Sequence, residues 1–186
     1  MIKKMLKEIF FKEDFETLEN SFYEEIQKRK NVEWELEKII KMNEKFISII
    51  NSINCENEKI IGIELNNNRE IVMVVISEYP WLAIKLRGIE YQWSAPRIMC
   101  TYKDKIENSY IHIDDFFAIR EDVGNGSILL KYLIEFAKEK NVKYISGMLS
   151  SVDKDHFDKL EHFYEKFGFK VSFNQENENG RIRLDI

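Results

Sequence analysis

The sequence predicts an α/β or α+β fold, and three observations predict it. The first third carries apolar residues at steps of three and four, the period of a helix face. Beyond a polar, Asn-rich link at Asn51 to Asn57 the composition turns β-branched. From residue 97 onward, short strand-like runs alternate with two further helical faces in the order β-β-α-β-α-β-β.

Phe15, Leu18, Phe22 and Ile26 define the first apolar face, and after a charged break Leu36, Ile39, Ile40, Phe46, Ile47, Ile50 and Ile53 define a second. The reading is a pair of amphipathic helices, roughly 14–30 and 32–53, expected to pack on the same core as the rest. Lys28-Arg29-Lys30 suits a solvated helix end, where cations complement the dipole. Strands follow at Lys59–Leu65 and Arg69–Ser77, joined by Asn66-Asn67-Asn68, residues that tolerate the positive φ of a hairpin turn. Residues 80–96 fit neither period: Pro80 and Pro96 bracket an aromatic segment with Trp81, Tyr91 and Trp93, side chains that either fill a core or line a pocket.

Arg97–Tyr102 and Tyr110–Ile119 read as strands, Gly124-Asn125-Gly126 as a turn, and Ser127 to about Lys140 as a helix with Leu129, Leu133 and Phe136 on one face. Val142–Leu149 is a strand. Asp155 is a good N-cap for a helix carrying Phe157, Leu160, Phe163, Tyr164 and Phe167, which Gly168 closes in the C′ position. A hairpin, Lys170–Asn174 and Arg181–Ile186, ends the chain.

At 186 residues, 44% of them hydrophobic, the chain suits one domain, 1–186, with a helical elaboration over 1–58 and a sheet-containing core over 59–186. The net charge of -5, with both signs interspersed, lacks the basic stripe that nucleic-acid binding requires. No apolar run reaches membrane-span length, and the charges in the first residues come too early for a secretory leader, so a cytoplasmic protein with no membrane partner is expected. Cys55 and Cys100 form neither a CxxC nor a zinc pattern and read as buried thiols. The histidines offer no zinc spacing, and Asp153, Asp155 and Asp158 lack the Gly and closing Glu of a calcium loop, so no metal is expected.

The chemistry-bearing feature is the strand Tyr110–Ile119 running through Glu121-Asp122-Val123-Gly124-Asn125-Gly126-Ser127 directly into a helix. A glycine-containing turn lets backbone approach a ligand, and the unsatisfied first-turn N–H groups favour an anion such as a phosphate. It is neither a Walker A loop nor a full Rossmann fingerprint. One strand and one helix later stands Phe163-Tyr164-Glu165-Lys166-Phe167-Gly168-Phe169. With this second motif the sequence resembles the GNAT superfamily of N-acetyltransferases, in which a strand leads to a Q/R-x-x-G-x-G/A loop and a later helix ends in FYEKxGF. The resemblance covers residues 97–186.

It implies a mixed, mainly antiparallel central sheet flanked by helices, and an acyl-CoA site within 110–169. Val123, Gly124, Asn125, Gly126 and Ser127 would offer loop amides to the pyrophosphate, and the exposed backbone of Phe117, Ala118 and Ile119 would pair with the pantetheine arm. The match departs from the family in Glu121, which stands where Gln or Arg is usual, and in a connection about two residues shorter. Arg120 is the substitute cation. Tyr164 matches the family's general acid. Asp114 or Asp115 is the candidate base; adjacent strand residues face opposite ways, so only one can face the cleft, and the Ile-Asp-x-hydrophobic-hydrophobic-Ala stretch, similar to some aminoglycoside-acetylating members, favours Asp114. His112 shares its parity and is a lesser candidate. The implied reaction takes acetyl-CoA as cosubstrate and passes its acetyl group to a primary amine by direct attack. Glu78 and Glu90, with the aromatic segment, would suit a cationic acceptor; their other reading is as solvated strand-end carboxylates. The alternative is a non-catalytic acyl-CoA sensor or interaction module on the same fold, and the helical pair could equally serve a homodimer.

Overall fold

The computed structural model describes residues 2–91, 94–104, 109–120, 122–174 and 179–186, and of 6–9 and 13 the backbone alone. Its contacts divide into two units, Met1–Ile47 and Ser48–Ile186. The first unit is helix. α1 runs Ile2–Cys55 without interruption, its last turns belonging to the second unit. This corrects the expected pair of helices. Lys28-Arg29-Lys30-Asn31 breaks the apolar face but contains neither Gly nor Pro, and Lys and Arg are good helix formers, so the backbone continues. An i,i+4 pair, Arg29 Nε to Glu25 Oε1 at 3.6 Å, spans that stretch.

The second unit is built on one eight-stranded sheet, ordered β1-β2-β3-β4-β5-β6-β8-β7. The strands are β1 Lys59–Leu65, β2 Ile71–Ser77, β3 Leu82–Arg87, β4 Arg97–Lys103, β5 Tyr110–Phe117, β6 Tyr144–Leu149, β7 Lys170–Asn174 and β8 Asn179–Asp185. All neighbours are antiparallel except β5 and β6. The sheet is therefore mixed and mainly antiparallel, as expected. The parallel pair has a physical cause: α2, Asn125–Glu139, carries the chain back across the sheet, which is what a parallel connection needs.

β3 is the element the sequence concealed. Leu82, Ala83, Ile84 and Leu86 are buried while Lys85 and Arg87 are half-buried, so the period-2 pattern is only four residues long, and the neighbouring Pro80 and aromatic residues mask it in the sequence. Alternate residues of the central strands, among them Val74, Ile84, Ile98, Ile111 and Ile145, pack against Leu129, Leu130, Leu133 and Phe136 of α2 in one core. On the other face the segment after α1 ties down β3. The nearly inaccessible Glu58 carboxylate accepts from Lys85 Nζ at 2.6 Å and from Arg87 Nε at 3.0 Å.

α3 spans Phe157–Glu165 and follows a 3-10 turn, Ser151–His156. Asp155 lies inside that turn and caps nothing; Ser150 takes the capping role, accepting from the Val152 N–H. The other end of α3 closes as the sequence suggests. Gly168 has φ 85°, and the bonds from Gly168 N to Glu165 O at 2.8 Å and from Phe169 N to Tyr164 O at 3.2 Å form a Schellman closure.

Cys100 is buried, but Cys55, at the exposed end of α1, is not. Burial pushes the Cys100 thiol far above its ordinary value, and the nearby Asp114 charge adds to the shift. Native protein should therefore react rapidly with Ellman's reagent at Cys55 alone, and at Cys100 only on unfolding. Two fast thiols in the native state would show that Cys100 is accessible.

Candidate functional site

The site begins with an irregularity in β5. Met99 pairs with Asp115 and Cys100 with Ile113, leaving Asp114 without an opposite residue on β4. Such a bulge bends and twists its strand. On its other edge β5 pairs with β6 over Tyr110–Ile113 against Tyr144–Gly147, and there the ladder stops. β5 nevertheless continues to Phe117 in register with β4, and β6 to Leu149 in register with β8. The two strands part at the bulge. From Asp114 to Phe117 the β6-facing backbone of β5 has no ladder partner among the described residues, and an added strand-like ligand could pair with its N–H and C=O groups.

Past the opening the chain turns sharply into α2. Ile119, Asp122 and Gly124 all have positive φ, 67°, 59° and 84°. Gly124 is the N-cap of α2, with Asn125 and Gly126 already in the first helical turn rather than in the free turn the sequence suggested. Its glycine identity is required twice over, by φ and because a Cβ there would sit 2.9 Å from Asn67 Oδ1. The first backbone return is from Ile128 N to Gly124 O at 3.1 Å, so the N–H groups at the start of α2 have no intrahelical acceptor.

Two distant segments hold this loop. In the β1–β2 turn, Asn67 donates from its backbone N–H to Val123 O at 2.9 Å and from Nδ2 to Asp122 O at 2.8 Å. Behind the loop, the fully buried Asn125 amide lies 2.9 Å from the Tyr91 hydroxyl and donates to Ala118 O at 3.3 Å. Arg120, expected as the cation for a bound anion, instead donates to Glu70 Oε2 at 3.1 Å and lies over the Tyr91 ring at 5.4 Å. Hydrogen bonding from Asn66 above all, and then the Arg120 charge, hold the Glu70 carboxyl below its usual range. Asn66, Asn67, Glu70 and Tyr91 thus build the loop, and none was singled out for that role in the sequence. The Asn run signalled a turn, but nothing local says which loop the turn touches.

Tyr91 is accordingly committed to loop support and not to an acceptor pocket. Of the other residues expected there, Trp81 is exposed, Glu78 pairs with Lys140 at 3.2 Å and Glu90 is exposed. Trp93, like Glu121, lies outside the described residues.

Tyr164 comes from the last turn of α3 and is 4% exposed. Its ring meets Phe116 of the opened part of β5 edge-on, with centroids 6.3 Å apart, and also contacts Phe163 and Phe169. Burial first, then the Asp153 charge, push its phenol far above the ordinary value, so it stays protonated. Asp114 and Asp115 are both exposed. Asp114 Oδ2 accepts from Thr101 Oγ1 at 2.8 Å, and Asp115 Oδ2 pairs with Arg97 at 3.3 Å. Arg97 and Thr101 share one face of β4, so the bulge has placed both carboxylates on the same side, correcting the expectation that only one could face it. That side is opposite to Phe116 and Tyr164, and the strand separates the acid and base candidates. His112 Nδ1 lies 3.0 Å from Ser146 Oγ on β6. Among the described residues no group of three His, Cys, Asp or Glu side chains could hold a metal, and no helix is long and apolar enough to cross a membrane.

No protein-family model matches the chain. It is 36% identical over 86 residues to the uncharacterised protein YocC of Bacillus subtilis (strain 168), a stretch that covers 46% of this chain and 49% of YocC. The chain thus matches about half the length of that curated relative. Among solved structures it resembles Arabidopsis thaliana Naa50 in complex with the bisubstrate analogue CoA-Ac-MVNAL, at TM-score 0.43 and 17% identity, over 56% of this chain and 72% of that one. A GNAT-family acetyltransferase from Streptococcus pneumoniae matches at TM-score 0.41 and 14% identity, over 57% and 67%. Nourseothricin acetyltransferase matches at 0.43 and 12%, over 68% and 83%. These neighbours are GNAT acetyltransferases.

Proposed function

We propose that the protein is an N-acetyltransferase that moves the acetyl group of acetyl-CoA to a primary amine by direct attack. The observation that carries this reading is the parting of β5 and β6 at Asp114, which opens toward the N-terminus of α2 and has Tyr164 beside it. An extended pantetheine arm matches the unpaired edge of β5 and the backbone of Phe117, Ala118 and Ile119 beyond it. The pyrophosphate falls to the amides of Val123, Gly124, Gly126 and Ser127, where the helix dipole favours negative charge. Asn125 contributes its backbone N–H only, since its side chain is turned inward.

In this reading the thioester lies at the opening. A neutral amine attacks its carbonyl carbon, the tetrahedral adduct expels the CoA sulfur, and the thiolate takes the proton of the Tyr164 phenol. The proton lost by the amine passes to Asp114, through water given its place across the strand. The helix-end motif, the loop before α2 and the strand opening support the same assignment.

Thermal unfolding with acetyl-CoA tests it. At a ligand concentration of about 100 times Kd, native-state binding adds about 2.7 kcal/mol, a rise in Tm of roughly 5–10 °C for a chain of this size. Thiol release on adding an amine should follow on the same sample. No shift at millimolar acetyl-CoA would remove the site, whereas a shift with no thiol release from any amine would leave a binding module in place of an enzyme.

A further inference from the structure

The first unit presents a helix whose apolar stripe is open. Along α1 the residues Phe11, Phe15, Leu18 and Phe22, then Glu25 and Arg29, then Val32, Leu36, Ile39 and Asn43 follow at alternating steps of four and three. That is the a/d spacing of a coiled coil, and its apolar members are 48–76% exposed. An isolated helix with such a stripe gains its stability from whatever covers the stripe.

The order of these residues says what covers it. The two charged positions stand at the centre, and the pattern is nearly self-complementary about Gln27. We propose that α1 pairs with the α1 of a second copy of this chain in an antiparallel two-stranded coiled coil centred on Gln27. Each Glu25 then lies opposite Arg29 of the other copy, so the only charges in the seam meet charges of opposite sign. A parallel pairing sets Glu25 on Glu25 and Arg29 on Arg29, two like-charge layers in the middle of an apolar seam. Sizes agree as well. Phe22 meets Val32, Leu18 meets Leu36 and Phe15 meets Ile39, a bulky ring against a smaller aliphatic at two of the three layers. Asn43 falls opposite Phe11 at the end of the seam, where its amide reaches water. The overlap from residue 11 to 43 is about 48 Å of helix on each copy. The arrangement is isologous, so it closes at two chains.

Sedimentation and light scattering of the full chain at micromolar concentrations should give twice the 22.3 kDa chain mass. Orientation is read by disulfide trapping in a Cys55→Ser background, which removes the exposed native thiol. A Leu18→Cys chain mixed with a Leu36→Cys chain should cross-link on mild oxidation, while Leu18→Cys alone should not. Arg29→Glu should shift the population to single chains, and adding Glu25→Arg should restore the dimer. A single-chain mass at every concentration overturns the proposal. So do self-cross-linking of Leu18→Cys alone, which marks a parallel pair, and a mass above two chains.

Discussion

Tyr164→Phe should lower the rate of amine-dependent thiol release by roughly 10²–10⁴-fold, the usual contribution of a positioned general acid. Acetyl-CoA binding should stay near the wild-type value. The substitution removes one oxygen and keeps the ring, so the contacts with Phe116, Phe163 and Phe169 persist and the core around the end of α3 is not emptied. The pH dependence carries a second signature. Because burial raises the phenol above its ordinary value of 10, the hydroxyl is protonated throughout neutral and mildly alkaline pH. The wild-type rate should therefore climb as the amine deprotonates, without an alkaline fall from Tyr164 below pH 10. Steady-state kinetics of both proteins across pH 6 to 10 decide the matter, with roughly equal losses in kcat and kcat/KM expected. An unchanged kcat in the variant would assign the proton to another donor and return Tyr164 to the core.

Tyr91→Phe should damage the loop from behind. The Tyr91 hydroxyl is shared by Asn66, Glu70, Arg120 and the buried Asn125 amide. Its loss leaves Asn125 with Ala118 O as its only side-chain partner among the described residues, at a cost of about 1–3 kcal/mol for an unsatisfied buried polar group. For a chain of this size that is a fall in Tm of roughly 2–12 °C. The larger consequence is functional. Asn125 anchors the first turn of α2 to Ala118, so a freed amide loosens the backbone whose N–H groups would meet the pyrophosphate, and acetyl-CoA affinity should fall with stability. Calorimetric titration of acetyl-CoA into the variant checks this. If Tm falls while affinity holds, the network stabilises the fold without shaping the loop.

Much of the sheet was readable because its signals are local. β1, β4 and β7 sit close to their expected bounds, and Gly168 ends α3 by the conformation that glycine supplies. The structure departs from the sequence expectation where a local cue is ambiguous. The charged run near residue 30 interrupts a hydrophobic pattern in the same way whether or not the helix stops. β3 alternates only over Ile84–Arg87, and so short a signal is masked by Pro80, Trp81 and the aromatic residues that follow. Asp155 has the chemistry of an N-cap but lies within the 3-10 turn, where Ser150 already satisfies the Val152 N–H.

For the candidate site the division is sharper. Residue identity and order along the chain were enough to pick out the Gly124-Asn125-Gly126 approach to α2, the Phe163–Phe169 helix end and the paired acids of β5, because each motif is a contiguous string whose chemistry travels with it. Only the tertiary structure decided how these parts are aimed. A one-residue mismatch between β4 and β5 put Asp114 and Asp115 on one face and opened β5 from β6. A hydroxyl 34 residues before Asn125 fixed the loop, and Glu70 claimed the guanidinium of Arg120. Strand register and long-range polar pairing depend on which segments become neighbours after folding, and that is set by the packing of the whole sheet rather than by any single stretch of residues.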